Sequence, residues 1–265
     1  MKIRVKRFLK VQGQVFASFL AFGIFATILP TLMGAEKLPP ADKIKTDNGD
    51  LTIQPVNHAT VVLEWNGKTI YVDPVGGEKR FAGLPKPDLI FITDIHGDHM
   101  DAPTLKSVAQ AKTKIVVPEA VKEKLPEELQ KQATVLHNGE DKTVEGIKVE
   151  AIPMYNLTQS RLKYHAKGRG NGYVLTLGGK RVYFSGDTED IPEMRSLKNI
   201  DVAFVCMNLP YTMTPDQAAG AVKEFKPKIV YPYHYRGSDT EKFKSLVGSD
   251  SGVDVRLRDW YGDKK

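Results

Sequence analysis

The sequence predicts a mixed α/β domain, on three observations. Short β-branched runs follow one another closely and are joined by turn dipeptides. Helical segments with clear start signals stand between the later runs. Three separate runs end in Asp or His. The first strands are Leu51-Thr-Ile-Gln-Pro-Val, then Ala59 to Trp65, then Lys68 to Asp73, and Asn66-Gly67 between the last two is a strong hairpin signal. Leu89 to Thr93 is a continuous apolar run, as in a strand covered on both faces. A helix is expected after Asp101, which suits an N-cap, with Pro103 in the first turn. Lys114-Ile-Val-Val is a further strand, and Pro118 to Lys131 reads as one short helix rich in Glu and Lys. Thr143 to Pro153 is a hairpin-like pair, and Gly178-Gly179 turns Tyr173-Val-Leu-Thr-Leu into Arg181-Val-Tyr-Phe. Thr214 then caps a helix with Pro215 at its first position and Asp216 in its first turn. Lys228 to Tyr235 is a strand carrying His234 at its end. The second half thus follows the strand–helix order of the first, as two sheets flanked by helices require.

The chain has 265 residues and a formal net charge of +6, part of which lies in Lys2, Arg4, Lys6, Arg7 and Lys10. This length suits an exported leader plus one domain. An apolar stretch from Val15 to Ala35 follows the basic residues, the order of a secretory signal. Residues 1–35 are therefore expected to be a signal peptide, which makes the protein periplasmic or secreted. The alternative is an uncleaved anchor, because the stretch nearly spans a bilayer, and this segment is the one membrane contact expected. Residues 36–50, with Pro39-Pro40, read as a linker, and residues 51–262 as the folded domain. No dense Lys/Arg patch with interleaved aromatics appears in the domain, so nucleic acid is not an expected partner. Cys206 is the single cysteine, which excludes an intrachain disulfide, and its strand context predicts a packed, inert thiol.

The chemistry concentrates in Asp94-Ile-His96-Gly-Asp98-His99, between the apolar strand and the helix after Asp101. Two of the chain's six histidines crowd two carboxylates there. Such crowding is costly unless a cation neutralises the carboxylates and takes the imidazole lone pairs. Asp187, in Ser185-Gly-Asp-Thr188, and His234 each lie just past another strand, and sites in α/β sheets assemble at the carboxyl ends of strands.

With these residues in order, the chain resembles the metallo-β-lactamase superfamily of metal-dependent hydrolases over about residues 50 to 262. Asp73 matches an early strand-end aspartate, residues 94–99 a His-x-His-x-Asp-His loop, Asp187 a metal-bridging aspartate and His234 the last histidine. The segments Gly186 to Met194 and Tyr211 to Pro215 resemble the branch of ascorbate-6-phosphate lactonase-like proteins and N-acylphosphatidylethanolamine phospholipase D. The resemblance implies a four-layer αββα sandwich and one or two divalent cations. Zinc is the first expectation, with manganese or iron as alternatives. The second metal position is complete in Asp98, His99 and His234, with Asp187 shared. The first departs from the pattern: Asp94 stands where histidine is usual, His96 is kept, and the third ligand is either Asn156 or His165. Hard carboxylate oxygens shift preference from zinc toward manganese or iron.

The implied activity is attack of metal-bound hydroxide on a small ester, lactone or phosphodiester, with Asp98 orienting the water or relaying a proton. The competing class is a non-catalytic binding or sensor protein that keeps the metal. Asp73 and His58 are read as supporting ligands or substrate from behind, or as plain turn residues. Tyr211 and Tyr235 are read as hydrogen-bond donors to an oxyanion or as packing residues. Arg161, Lys163, Lys167 and Arg169 form a basic loop that either meets phosphate or is merely solvated.

Overall fold

In the computed structural model, which describes residues 38–262, two seven-stranded sheets share one strand order. The first contains β1 (Asp42–Thr46), β2 (Gly49–Asn57), β3 (Thr60–Trp65), β4 (Lys68–Val72), β5 (Leu89–Phe91), β6 (Lys114–Val117) and β7 (Ala133–Val135), side by side in sequence order. Its pairs are antiparallel as far as β4 and parallel from there to β7. The second contains β8 (Asp141–Val144), β9 (Ile147–Met154), β10 (Gly170–Leu177), β11 (Lys180–Phe184), β12 (Val202–Cys206), β13 (Ile229–Tyr233) and β14 (Asp254–Val255). Here too the antiparallel pairs come first, as far as β11, and the parallel pairs follow.

Side-chain alternation along the strands makes the layers. Val61, Leu63, Ile70, Val72, Leu89 and Phe91 face the large core shared with the second sheet. Their neighbours Val62, Tyr71, Ile90 and Ile92 face the other way, against Leu105, Val121 and Leu129. Those three residues belong to α1 (Ala102–Val108), α2 (Glu119–Lys122) and α3 (Glu127–Gln130). On the far side, α4 (Pro192–Arg195), α5 (Pro215–Phe225) and α6 (Thr240–Val247) bury Met194, Ala218, Val222, Phe225 and Phe243 in the large core. The result is helices, sheet, sheet, helices: the expected αββα sandwich. Each fully buried Val, Leu, Ile or Phe contributes about 1.5–3 kcal/mol.

Local signals explain the elements. Asn66 and Gly67 both take positive φ, at 49° and 74°, as a two-residue turn between β3 and β4 needs. Thr214 accepts from the Gln217 amide while the Gln217 side chain accepts from the Thr214 amide, a reciprocal cap on α5.

Two expectations need correction. The stretch 36–50 is not a plain linker, because Asp42–Thr46 pairs with Gly49–Asp50-Leu51-Thr52-Ile53 of β2. The edge strand is secured by Tyr231 and Arg258, both of which donate to Asp42. The single helix expected over 118–131 is two short ones, because Pro126 has no amide hydrogen to continue the first. The leader at 1–35 lies outside the described residues. Among the described residues, no helix is long and apolar enough to cross a membrane.

Candidate metal centre

Parallel strands deliver the site at their carboxyl ends. Asp73 follows β4, Asp94 to His99 follow β5, Asp187 follows β11 and His234 follows β13. His58 joins them from the β2–β3 turn, and His165 from the loop between β9 and β10. The backbone takes a positive φ at three of these residues. Of seven non-glycine residues with positive φ among those described, three are His58, Asp73 and His234. Such conformations gather where a fixed side-chain direction is required.

Asp187 is the hub. Its Oδ2 lies 3.3 Å from His99 Nε2 and 3.2 Å from His165 Nε2, and its Oδ1 lies 3.3 Å from His234 Nε2. Asp98 lies on one side, with Oδ2 3.2 Å from His58 Nε2 and 3.3 Å from His234 Nε2. On the other side Asp94 Oδ2 lies 2.7 Å from His96 Nδ1 and 3.9 Å from His165 Nε2. Ligand-type atoms therefore gather in three sets: His58, Asp98 and His234; His99, Asp187 and His234, which shares His234 with the first; and Asp94, His96 and His165.

The residues fit a divalent cation. His99 Nε2, His165 Nε2 and Asp187 Oδ1 are buried atoms with no hydrogen-bond partner, which is costly unless something binds them. The spacings of 3.2–3.3 Å around Asp187 suit ligand atoms about 2.0–2.1 Å from one centre. The backs of the imidazoles are also held. His99 Nδ1 lies 2.9 Å from Asp73 Oδ2, and His165 Nδ1 lies 3.2 Å from the Tyr211 carbonyl, so each presents Nε2 to the centre.

Carboxylates and imidazoles tune each other here. Burial would raise the Asp187 carboxyl, but His234 and His99 outweigh it and hold it well below the usual range. Burial opposes charge on His99, yet Asp187 and Asp73 override it and raise the imidazole. Burial likewise opposes ionisation of Asp98, and hydrogen bonds from His234 and His58 keep its carboxyl low.

His165 is the residue that gathers with Asp94 and His96, while the Asn156 amide nitrogen donates to the carbonyls of Arg161 and Tyr211 and its Oδ1 is buried without a hydrogen-bond partner. Tyr211 lines the site's cavity with His96, Asp98, Tyr164, His165, Asp187 and His234, a space of about 300 Å³. For Tyr235 the structure takes the packing alternative: its hydroxyl donates to the Arg258 carbonyl at 2.9 Å, and it does not line that cavity. The basic loop is not merely solvated either. Arg161 meets Glu189, Lys167 meets Glu193, and Arg169 meets Asp94.

Sequence reasoning missed several supports. Thr93 donates twice to Asp73, from its amide at 2.7 Å and its hydroxyl at 2.6 Å. The buried Glu189 accepts from the Leu157 and Thr158 amides and from Arg161, which anchors the loop that carries His165. Tyr261 Oη lies 2.6 Å from His58 Nδ1. None of these has a local signal, since the partners lie 20 to 203 residues apart.

This sandwich, with an Asp/His cluster at its strand ends, defines a metallo-β-lactamase-fold metal-dependent hydrolase. Residues 52–234 match the family described as the beta-lactamase superfamily domain. A UPF0173 metal-dependent hydrolase of Pyrococcus abyssi is 32% identical over 215 residues, which cover 76% of this chain and 93% of the relative. A crystal structure from Parabacteroides distasonis, classed as a metal-dependent hydrolase, is 44% identical, with a TM-score of 0.77, covering 83% of this chain and 98% of that one. Igni18, a metallo hydrolase of Ignicoccus hospitalis, is 23% identical with a TM-score of 0.65 over 78% of this chain and 94% of its own, and speaks for the fold alone. The chain belongs to the beta-lactamase superfamily and, within it, to the UPF0173 metal-dependent hydrolases.

Proposed function

We propose that this protein hydrolyses a small ester, lactone or phosphodiester at a cation centre built on Asp187. The observation that carries the reading is the set of unpartnered buried atoms that converge on that carboxylate, on His99, His165 and Asp187 itself. Asp98, His99 and His234 would hold one cation and Asp94, His96 and His165 another, with Asp187 between them. When bound, a divalent cation polarises the scissile group and acidifies water.

The chain's own residues supply the rest. Asp98 is ionised and partly exposed to the cavity, so it can orient the attacking water through its free oxygen. Burial lowers the His58 pKa, so its imidazole is neutral near pH 7 and links Asp98 to the Tyr261 hydroxyl. Tyr211, at the cavity mouth, is placed to donate to an oxygen that gains negative charge. Zinc remains the first expectation, and the carboxylates favour manganese or iron as alternatives.

The rim narrows the substrate. The large apolar side chains left exposed among the described residues are Leu157, Leu162, Leu209 and Tyr211. All four lie on two loops that clasp each other beside the cavity, through Asn156 to the Tyr211 carbonyl and Arg161 to the Thr212 carbonyl. An apolar group on the substrate fits that rim. The lactonase-like and phospholipase-like resemblance belongs to this proposal, as does export through residues 1–35.

The competing reading is a binding or sensor protein that retains metal, and Asp94 in place of histidine is what favours it. Turnover of aryl esters, lactones and bis(4-nitrophenyl) phosphate separates the two. The hydrolase reading expects turnover that chelator removes, metal restores and His99→Ala abolishes. Full metal content without turnover on any of the three classes would leave the binding protein.

A further inference from the structure

Asp94 is fully buried, and Arg169 grips both of its oxygens, with Nε 3.1 Å from Oδ1 and Nη2 3.0 Å from Oδ2. His96 Nδ1 and His165 Nε2 approach Oδ2 from the site side, at 2.7 and 3.9 Å. A carboxylate offers about four lone-pair directions, and a bidentate guanidinium uses one on each oxygen. Arg169 thus holds the carboxylate from behind and leaves the site-side lone pair of Oδ2 to His96 Nδ1, 2.7 Å away, and to a cation that these two atoms would share.

The chain is built to keep Arg169 there. Its Nη2 also donates to the Tyr164 carbonyl. At the next residue a Cβ would stand 2.8 Å from the Thr93 carbonyl, so only glycine lets β10 come this close. Asn171 then donates to that same carbonyl at 3.0 Å. The start of β10 is thus pinned to the residue before Asp94.

Charge gives the arrangement its meaning. An imidazole ligand is neutral, so an aspartate in its place adds one negative charge to a dry site. A guanidinium is always protonated, and here it cancels that charge. We propose that Asp94 and Arg169 act as one unit in place of a histidine, Asp94 giving an oxygen to the cation held with His96 and His165, and Arg169 neutralising the Asp94 charge. Arg169 is accordingly a positioning residue. The inference rests on the metal reading above. It makes the first position electrically equal to three imidazoles while giving it a hard oxygen donor.

The test is manganese binding to the full-length protein, read as ions per chain and as the dissociation constant of the weaker ion. The wild type is expected to hold two ions. Arg169→Met leaves the Asp94 charge uncompensated and is expected to bind the weaker ion about tenfold more tightly. Arg169→Lys keeps the charge and is expected to stay close to wild type. A residue that served only to order the loop would give weaker binding in Arg169→Met, and weaker or unchanged binding there overturns the proposal. If Arg169→Met does not fold, Asp94→His combined with Arg169→Met decides, since it buries no unpaired charge. Two ions in that double variant support the unit, and loss of one ion overturns it. A wild type that holds one ion overturns this inference alone, whereas a wild type that holds none removes the metal reading as well.

Discussion

Asp73 and His99, 26 residues apart and both fully buried, are joined by a contact of 2.9 Å between carboxylate and Nδ1. Thr93 donates to both oxygens of the same carboxylate, which holds Asp73 against the imidazole. Asp73→Asn puts a donor where His99 needs an acceptor. We expect metal affinity to fall about 10–100-fold. Competition with a chelating dye reads this directly, and unchanged affinity would show that His99 is oriented by packing alone.

The edge strand makes a prediction about acid stability. Burial alone would raise the Asp42 carboxyl, but hydrogen bonds from Arg258 and Tyr231 outweigh it and lower the folded-state pKa below 3.8. A depressed carboxylate contributes stability that is present above its unfolded pKa and lost as pH falls through the folded value. Asp42→Asn should therefore cost about 1–2 kcal/mol near pH 7, with the difference from wild type shrinking below pH 3.8. Denaturant midpoints at pH 7 and pH 3 give the comparison, and an equal loss at both would point to packing.

Cys206 should be silent in the native protein. Its side chain is fully buried, and desolvation pushes the thiol up to about 12. At pH 8 iodoacetamide should modify none of it in the folded state and all of it in denaturant. Rapid native labelling would mean that the second sheet opens locally.

The glycine behind Arg169 gives a structural test. Gly170→Ala drives a Cβ to 2.8 Å from the Thr93 carbonyl, a backbone atom that cannot yield cheaply. A loss of about 1–3 kcal/mol is expected, together with weaker metal uptake, because Asp94 follows Thr93 directly. A stable variant with normal uptake would show that the loop tolerates the displacement.

The rim is tested by kinetics. Leu162→Ser combined with Leu209→Ser should raise KM for esters with apolar acyl chains several-fold and leave kcat nearly unchanged, since neither residue reaches the cavity floor. Equal effects on acetyl and longer acyl esters would argue that the rim does not hold the substrate.

The site was legible in the sequence where chemistry is local. Asp94 to His99 fall in six consecutive residues, and Asp187 and His234 each follow a recognisable strand. What sequence could not show depends on distant approach. Arg169 reads as one of several loop cations until the fold brings it 75 residues back to Asp94. That His165 reaches Asp187 is also a matter of direction, since its ring is brought there by a loop whose path the sequence does not show. The two-sheet architecture came through resemblance to a known family, since hairpins alone do not say which sheet each strand joins. β1 has little strand signal because its burial alternates weakly, and although it pairs with neighbouring β2, the side chains that hold its Asp42, Tyr231 and Arg258, lie 189 and 216 residues away.

The matching strand order of the two sheets has a mechanical consequence. His58, Asp73 and Asp94 to His99 come from the first half of the fold, and His165, Asp187 and His234 from the second. An ion on Asp187 would therefore be gripped from both sides of a seam that is otherwise closed by apolar side chains. It would work as a clasp as well as a reagent. Two fragments divided in the loop between Val135 and Asp141 would each lack a full ligand set, so recovery of metal binding on mixing them would report that the halves had rejoined.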